Sequence, residues 1–345
     1  GNYNVAIGHL AMYNGDTSGV DNIAIGRSAG ASITSGIDNI LLGRGAGDAI
    51  TGGLRNILLG RYAGSDIQNG QYNIAVGDNA LTNLSAGDNN IAIGHGALFT
   101  AGSADIQENI AIGKNSMQVG SVTGDNNTGL GSQTLKNLTS GEDNIAVGSG
   151  SMGVGVVTGK DNIGIGSVTL RDLTSGANNI AIGSGSLRNA TNNIGNVAIG
   201  FEAMRASNND GDKNVAIGYK VMKAADISGD SNIGIGEVAL ENLTSGTDNI
   251  AIGSGAANKI SNNTDNIAIG HDAFFSSVDD ANKNIAIGFE AIKNGDVSGE
   301  SNIGIGTGVL DVLTSGADNI AIGSGAAIKL TNNTDNIAIG HDAFA

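Results

Sequence analysis

LTSGADNIAIGSGAA, residues 313–327, nearly repeats LTSGTDNIAIGSGAA, residues 243–257, and weaker copies begin at Leu138 and Leu173. The centre of each copy is N-[IV]-A-[IV]-G. Anchored on its Asn, the motif recurs at Asn4, Asn22, Asn39, Asn56, Asn73, Asn90, Asn109, Asn127, Asn144, Asn162, Asn179, Asn196, Asn214, Asn232, Asn249, Asn266, Asn284, Asn302, Asn319 and Asn336. Successive anchors lie 17, 18 or, once, 19 residues apart, and the spacing Asn179 to Asn249 to Asn319 shows a longer 70-residue period. Repetition at this scale displaces the two-domain expectation that 345 residues would otherwise carry. Tandem duplication lengthens an object without changing its cross-section, which suits a rod better than an active site.

Positions within a unit are counted from the anchor Asn. Offset one is Ile or Val except at Thr128, and offset three is always Ile, Leu or Val. Alternation of β-branched residues over so short a run, bounded by Asn and Gly, predicts a strand. Offset four is glycine in every unit: Gly8, Gly26, Gly43, Gly60, Gly77, Gly94, Gly113, Gly131, Gly148, Gly166, Gly183, Gly200, Gly218, Gly236, Gly253, Gly270, Gly288, Gly306, Gly323 and Gly340. A glycine there permits positive φ and a sharp corner. A second apolar pair follows, as in Ala239-Leu240 and Ala273-Phe274, then a polar turn such as Thr244-Ser245-Gly246-Thr247-Asp248. One unit therefore reads as strand, corner, short strand, loop.

Such a unit is one coil of a parallel β-solenoid. Three buried apolar side chains at roughly 1.5–3 kcal/mol each cannot order some 17 residues at about 1–2 kcal/mol apiece. Stability has to come from stacking, coil on coil. The fold class expected is all-β, one continuous solenoid over 1–345 of about 20 coils, and roughly 95 Å of rod at about 4.8 Å per coil.

Offset two carries the oligomer expectation. If the residues at offsets one and three face inward, offset two faces outward, yet it is never polar. Leu41, Leu58, Gly129, Gly164, Gly234 and Gly304 occupy it in six units. Alanine occupies the rest: Ala6, Ala24, Ala75, Ala92, Ala111, Ala146, Ala181, Ala198, Ala216, Ala251, Ala268, Ala286, Ala321 and Ala338. A strand apolar on both faces is buried on both, so this small-residue stripe is expected to line a seam with partner chains.

The motif N-[IV]-A-[IV]-G-x-x-[AST] resembles the head repeat of YadA-like trimeric autotransporter adhesins, and it is similar to NTAIG-type repeats of phage tail-fibre proteins. The resemblance spans all 345 residues. It implies a parallel homotrimer of left-handed β-rolls acting in attachment at a cell or virion surface, with an unidentified surface receptor or glycan as partner. Coils of 17 to 19 residues exceed the roughly 14 of the adhesin head, which favours the tail-fibre-like or mosaic-adhesin branch. Variable loops, for example Phe99 to Gln107, are the expected receptor contacts. The alternative is a monomeric or self-assembling solenoid filament, sheath or ice-binding protein. Thr123, Thr139, Thr174, Thr244 and Thr314 speak against the last, since they do not recur on every coil.

Composition narrows the remaining chemistry. The net charge is −16, with Lys and Arg scattered, which disfavours a nucleic-acid or anionic-membrane partner. There is no cysteine, hence no disulfide frame, and no apolar run long enough to span a bilayer. The chain opens on GNYNVAIG, already inside a repeat, and is expected to be a piece of a longer fibrous protein. His9, His95, His271 and His341 all occupy offset five, a variable position also held by Arg27, Asp78, Ser149, Phe201 and Tyr219. No nucleophile, base and orienting acid recur together, so no enzyme activity, cofactor or metal is expected. Asp often precedes the anchor, at Asp21, Asp38, Asp143, Asp161, Asp248, Asp265, Asp318 and Asp335. Stacked acids could ligate calcium, but the nonapeptide of calcium-binding β-rolls is missing, and turn formation is the preferred reading. The Asn column is expected to form an amide ladder. Strings such as Gly253-Ser254-Gly255 lack the following helix and Gly-Lys pair of a phosphate loop.

Overall fold

The computed structural model describes residues 1–14, 18–99, 105–118, 122–206, 211–224, 227–276, 281–295 and 297–344. The chain falls into two compact units, Gly1–Ser175 and Gly176–Ala345. In the first, ten strands of three residues run from β1 (Val5–Ile7) to β10 (Ile163–Ile165). In the second, ten more run from β11 (Ile180–Ile182) to β20 (Ile337–Ile339). Within each unit every strand pairs in parallel with the strand one repeat later, in constant register: Ile23↔Ile40, Ala24↔Leu41 and Ile25↔Leu42 in the first, Ile250↔Ile267, Ala251↔Ala268 and Ile252↔Ile269 in the second. Each unit is thus the all-β parallel solenoid that the repeat predicts. No helix among the described residues is long and apolar enough to cross a membrane.

The anchor asparagines build the amide ladder. The backbone N–H of Asn39 donates to Oδ1 of Asn22 at 3.1 Å, and its Nδ2 donates to the same oxygen at 2.9 Å and to the Gly53 carbonyl at 2.7 Å. The second unit repeats the arrangement, as at Asn249 with Asn232 Oδ1 (3.1 and 3.0 Å) and the Asn263 carbonyl (2.6 Å). These side chains are almost fully buried, 0% exposed at Asn39 and 1% at Asn249. Burying an amide is favourable only when its donors and acceptor are engaged, and here they are engaged by the coils on either side.

The corner glycines all have φ between 111° and 142°. Space enforces the choice as well: a Cβ on Gly77 would lie 2.6 Å from the Gly94 carbonyl oxygen of the next coil.

Two expectations are corrected. The apolar pair after the corner is not a strand but a run of turns. Offsets six and eight are left-handed, as at Val238 (φ 50°) and Leu240 (φ 53°). Their N–H groups bond in opposite directions, Val238 back to Tyr219 at 2.9 Å and Leu240 forward to Ala256 at 3.1 Å. The left-handed kinks turn adjacent residues to the same side, so Ala239 and Leu240 are both 0% exposed, which an extended strand would not allow. Each such kink costs about 1–2 kcal/mol in a non-glycine residue, offset by ladder bonds and by burial of the side chain it delivers.

The second correction concerns the strand itself. Offset two points into the coil and offsets one and three point out. Ala24, Ala75, Ala92, Ala111, Ala146, Ala181, Ala198, Ala216, Ala251, Ala268, Ala286 and Ala321 are 0% exposed and Ala338 5%, all within this one chain. Only Ala6, on the first coil, is exposed. The alanines are therefore core, and none of the buried ones can line a seam with a partner. The reason is volume: the short strand faces the turn that carries offsets seven and eight, and the interior between them admits a methyl group but no second row of isoleucines.

Exchanges inside that space confirm the packing. Where offset two is Leu41 or Leu58, offset eight is Gly47 or Gly64, and a Cβ on Gly64 would meet Leu58 Cδ1 at 2.7 Å. Where offset two is Gly129, the vacated volume holds the hydroxyls of Ser116 and Thr134, which hydrogen-bond each other at 2.7 Å, and Gly164 stands likewise beside Ser151 and Thr169. Large is matched to small across the coil and between coils, since Gly30, in the coil of Ala24, would place a Cβ 2.8 Å from Leu41 Cδ1 of the next coil, as a close-packed interior requires.

Candidate association face

Four positions per coil alternate outward across the strand: offsets minus one, one, three and five. The middle two form parallel columns of β-branched residues. Ile57, Ile145, Ile165, Ile252 and Ile322 keep 36–39% of their surface exposed, and Leu130 44%. Each solenoid unit carries twenty such positions, none of them buried and most only partly exposed, and at roughly a quarter to a third of each side chain the face amounts to on the order of 1,000 Å². That exceeds the ~300–600 Å² of the largest patch on an ordinary monomer and is enough for one side of a stable interface.

Offset five borders this face beyond the corner. His9, His95, His271 and His341 lie there and are exposed. In the second unit the column stacks aromatic rings, Phe201 on Tyr219 with centroids 5.6 Å apart and His271 on Phe289 at 5.3 Å. In the first unit it carries Arg27, Arg44 and Arg61. Arg44 lies 5.4 Å from the centre of the Tyr62 ring, and Arg61 forks onto Asp78 at 3.1 and 2.6 Å. Hydrogen bonding to Arg61 holds the Asp78 carboxyl below its ordinary range and raises the guanidinium in turn.

Offset minus one borders the face on the other side. Asp21, Asp38, Asp143, Asp161, Asp248, Asp265, Asp318 and Asp335 all sit there with φ of 56–60°. This is the turn role preferred from sequence, since Asp tolerates the left-handed region. No group of three or more His, Cys, Asp or Glu placed to hold a metal occurs among the described residues. Arg55 occupies the same column, with Nε 3.4 Å from Asp38 and a guanidinium nitrogen 2.5 Å from the Tyr72 hydroxyl.

A shallow open depression is lined by Lys223, Ala224, Glu241 and Asn242, with no nucleophile beside a base. Of the loop Phe99–Gln107 expected to contact a receptor, residues 100–104 lie outside the described residues. Comparison with protein-family models and with curated proteins yields no match.

The outward isoleucine columns are not legible from alternation alone, which allows them equally to face inward. The signal that could have found them is the exchange of Leu41 and Leu58 against Gly47 and Gly64. Positions that trade volume share one interior, and offset eight was already read as apolar.

Proposed function

We propose that this chain is a structural and adhesive fibre segment, in which several parallel copies, three by the resemblance, associate through the isoleucine face and present their remaining loops to a receptor or glycan outside the cell or on a virion. The observation that carries the reading is the two-column apolar face. It runs along all coils of each unit, and its residues are β-branched except for Leu42, Leu59 and Leu130 and apolar except for Thr128. Apolar side chains left partly exposed at every level serve no purpose in a solitary soluble rod, whereas burying them against copies adds a favourable term with each coil. Stacking and absence of a convergent polar cluster among the described residues both fit a scaffold whose specificity resides in surface loops.

Sedimentation or light scattering of the purified chain tests the assembly: an oligomer that dissociates when Ile57, Ile74 and Ile91 are changed to Ser supports it, and a stable monomer overturns it. Attachment is tested by immobilising the assembled protein and measuring capture of glycans and host-surface proteins. Failure of the assembled form to bind any would leave a structural fibre without adhesive function.

A further inference from the structure

In three coils of the first unit the outward positions read, from one edge of the face to the other, as acid, apolar, apolar, base, whereas the fourth has Arg55 and Arg61 at its two edges. The second coil gives Asp21, Ile23, Ile25 and Arg27; the third Asp38, Ile40, Leu42 and Arg44; the seventh Glu108, Ile110, Ile112 and Lys114. All six charged residues are exposed. Among the described residues Asp21, Glu108, Arg27, Arg44 and Lys114 make no ion pair within the chain, while Asp38 approaches Arg55 at 3.4 Å. Four of the five Lys and Arg in residues 1–130 stand in the offset-five column, so the basic edge is a concentration and not a scatter. In a chain of net charge −16, unpaired arginines beside an apolar face call for a partner with acids at the matching place.

We infer that the partner is a second copy of this chain, docked parallel and level, so that the acidic edge of one face seats on the basic edge of the next. The inference rests on the assembly reading above and adds the device that orients it. Geometry supplies the argument. Any rotation axis parallel to the solenoid, twofold or threefold, carries offset minus one of one copy to offset five of its neighbour at the same coil. Asp21 then meets Arg27, Asp38 meets Arg44 and Glu108 meets Lys114, three complementary pairs against one like pair, Arg55 with Arg61, whose charges are already met within the chain by Asp38 and Asp78. A dyad lying across the coils would instead make the copies antiparallel and set acidic edge on acidic edge. Like charges brought together as water is excluded oppose association, and opposite charges at a rim fix orientation more than they add affinity. Rotation about an axis parallel to the solenoid leaves every coil at its own height, so closure of the assembly and not charge sets the level: a shift of one coil would pair Asp21 with Arg44 and Asp38 with Arg61 equally well. The apolar columns are nearly identical at every level and cannot set the level themselves.

The test uses the intact chain and substitutions that the repeat already tolerates, since Arg55 occupies the acidic column at φ 55° and Asp78 the basic one. Mass in solution is measured for the parent, for R27D/K114E, for D21R/E108K and for all four changes together, with circular dichroism to establish folding. Reversal of one edge is expected to weaken association about tenfold or more, and reversal of both to restore it. In a second arm, cysteines are placed in this cysteine-free chain. D21C/R27C treated with a short bis-maleimide is expected to give a covalently closed oligomer, while D21C and R27C alone do not cross-link. An oligomer indifferent to single-edge reversal, a fourfold variant that stays weak, or a cross-link in either single-cysteine protein overturns the edge pairing and leaves the assembly standing. A monomeric parent overturns the assembly, and the edge pairing with it.

Discussion

Leu58 and Gly64 provide a direct test of which residues share the interior. Leu58 is fully buried, and the glycines facing it, Gly47 and Gly64, would place a Cβ 2.9 and 2.7 Å from its Cδ1. Leu58→Ala removes three carbons from a space walled partly by glycine backbone, with only Leu41, Ile50 and Ile67 at its edge to relax inward. It is expected at the upper part of the Leu→Ala range, about 3–5 kcal/mol. Gly64→Leu alone overpacks the same space and places a β-carbon at φ 57°, together costing about 2–5 kcal/mol. The double variant L58A/G64L recreates the arrangement of the next coil, where Ala75 sits beside Leu81 at φ 54°. It should therefore lose only about 1–2 kcal/mol, the strain of one left-handed leucine. The coupling between the two changes is then at least about 3 kcal/mol and stabilising. Urea unfolding followed by circular dichroism measures it, with constant slopes confirming comparable transitions. If the double variant is as unstable as the sum of the singles, offsets two and eight do not share a cavity and the inward placement of the alanine column is wrong.

Asn127→Ala strips partners from the Asn144 backbone N–H, Asn144 Nδ2 and the Gly141 carbonyl; three buried groups left open are expected to cost about 3–6 kcal/mol, read as a lower urea midpoint. Gly77→Ala places a methyl 2.6 Å from the Gly94 carbonyl oxygen at φ 138°, so it should destabilise more than Gly308→Ala, where nothing lies within 4 Å, in the same assay. Asp48 has a pKa raised first by burial and then by the neighbouring Asp66. Its folded form holds the proton more tightly than the unfolded chain, so stability falls as pH rises from the ordinary carboxylate pKa through the raised one; Asp48→Asn should raise Tm at neutral pH and give no gain in acid. Asp78 behaves oppositely, its pKa lowered chiefly by the Arg61 hydrogen bonds. Its contribution is present above the unfolded pKa and lost as pH falls through the folded one, so the deficit of Asp78→Asn should vanish in strong acid.

The repeat exposed the coil, its register and the two invariant columns, because Asn and Gly at fixed spacing have few other uses. It did not reveal which strand face is inside. Alternation in Asn249-Ile250-Ala251-Ile252 separates two faces but assigns neither, and hydrophobicity alone favours the larger side chain as core. Volume decides against it, and the volume signal lay in pairs such as Leu41 with Gly47 that only make sense across the coil. The turn after the corner is hidden for a related reason. Ala239 and Leu240 are adjacent and both buried, which period two forbids and alternating left-handed kinks permit. A left-handed Val238 (φ 50°) runs against its own propensity, so the turn had no local signature. The charges flanking the isoleucines were visible from the start, yet they acquired meaning only once the face between them was turned outward.

The ladder bonds described above join residues only about one coil apart, such as Asn39 to Asn22 across 17 positions and Asn109 to Asn90 across 19. Sequence separation between contacting partners is consequently fixed by coil length and does not grow with the number of coils. Relative contact order falls as such a chain is extended, and the conformational search for each new layer is a short loop closure onto a finished template. Gene duplication can then double the reach of this architecture while each added layer meets the same folding problem as the last.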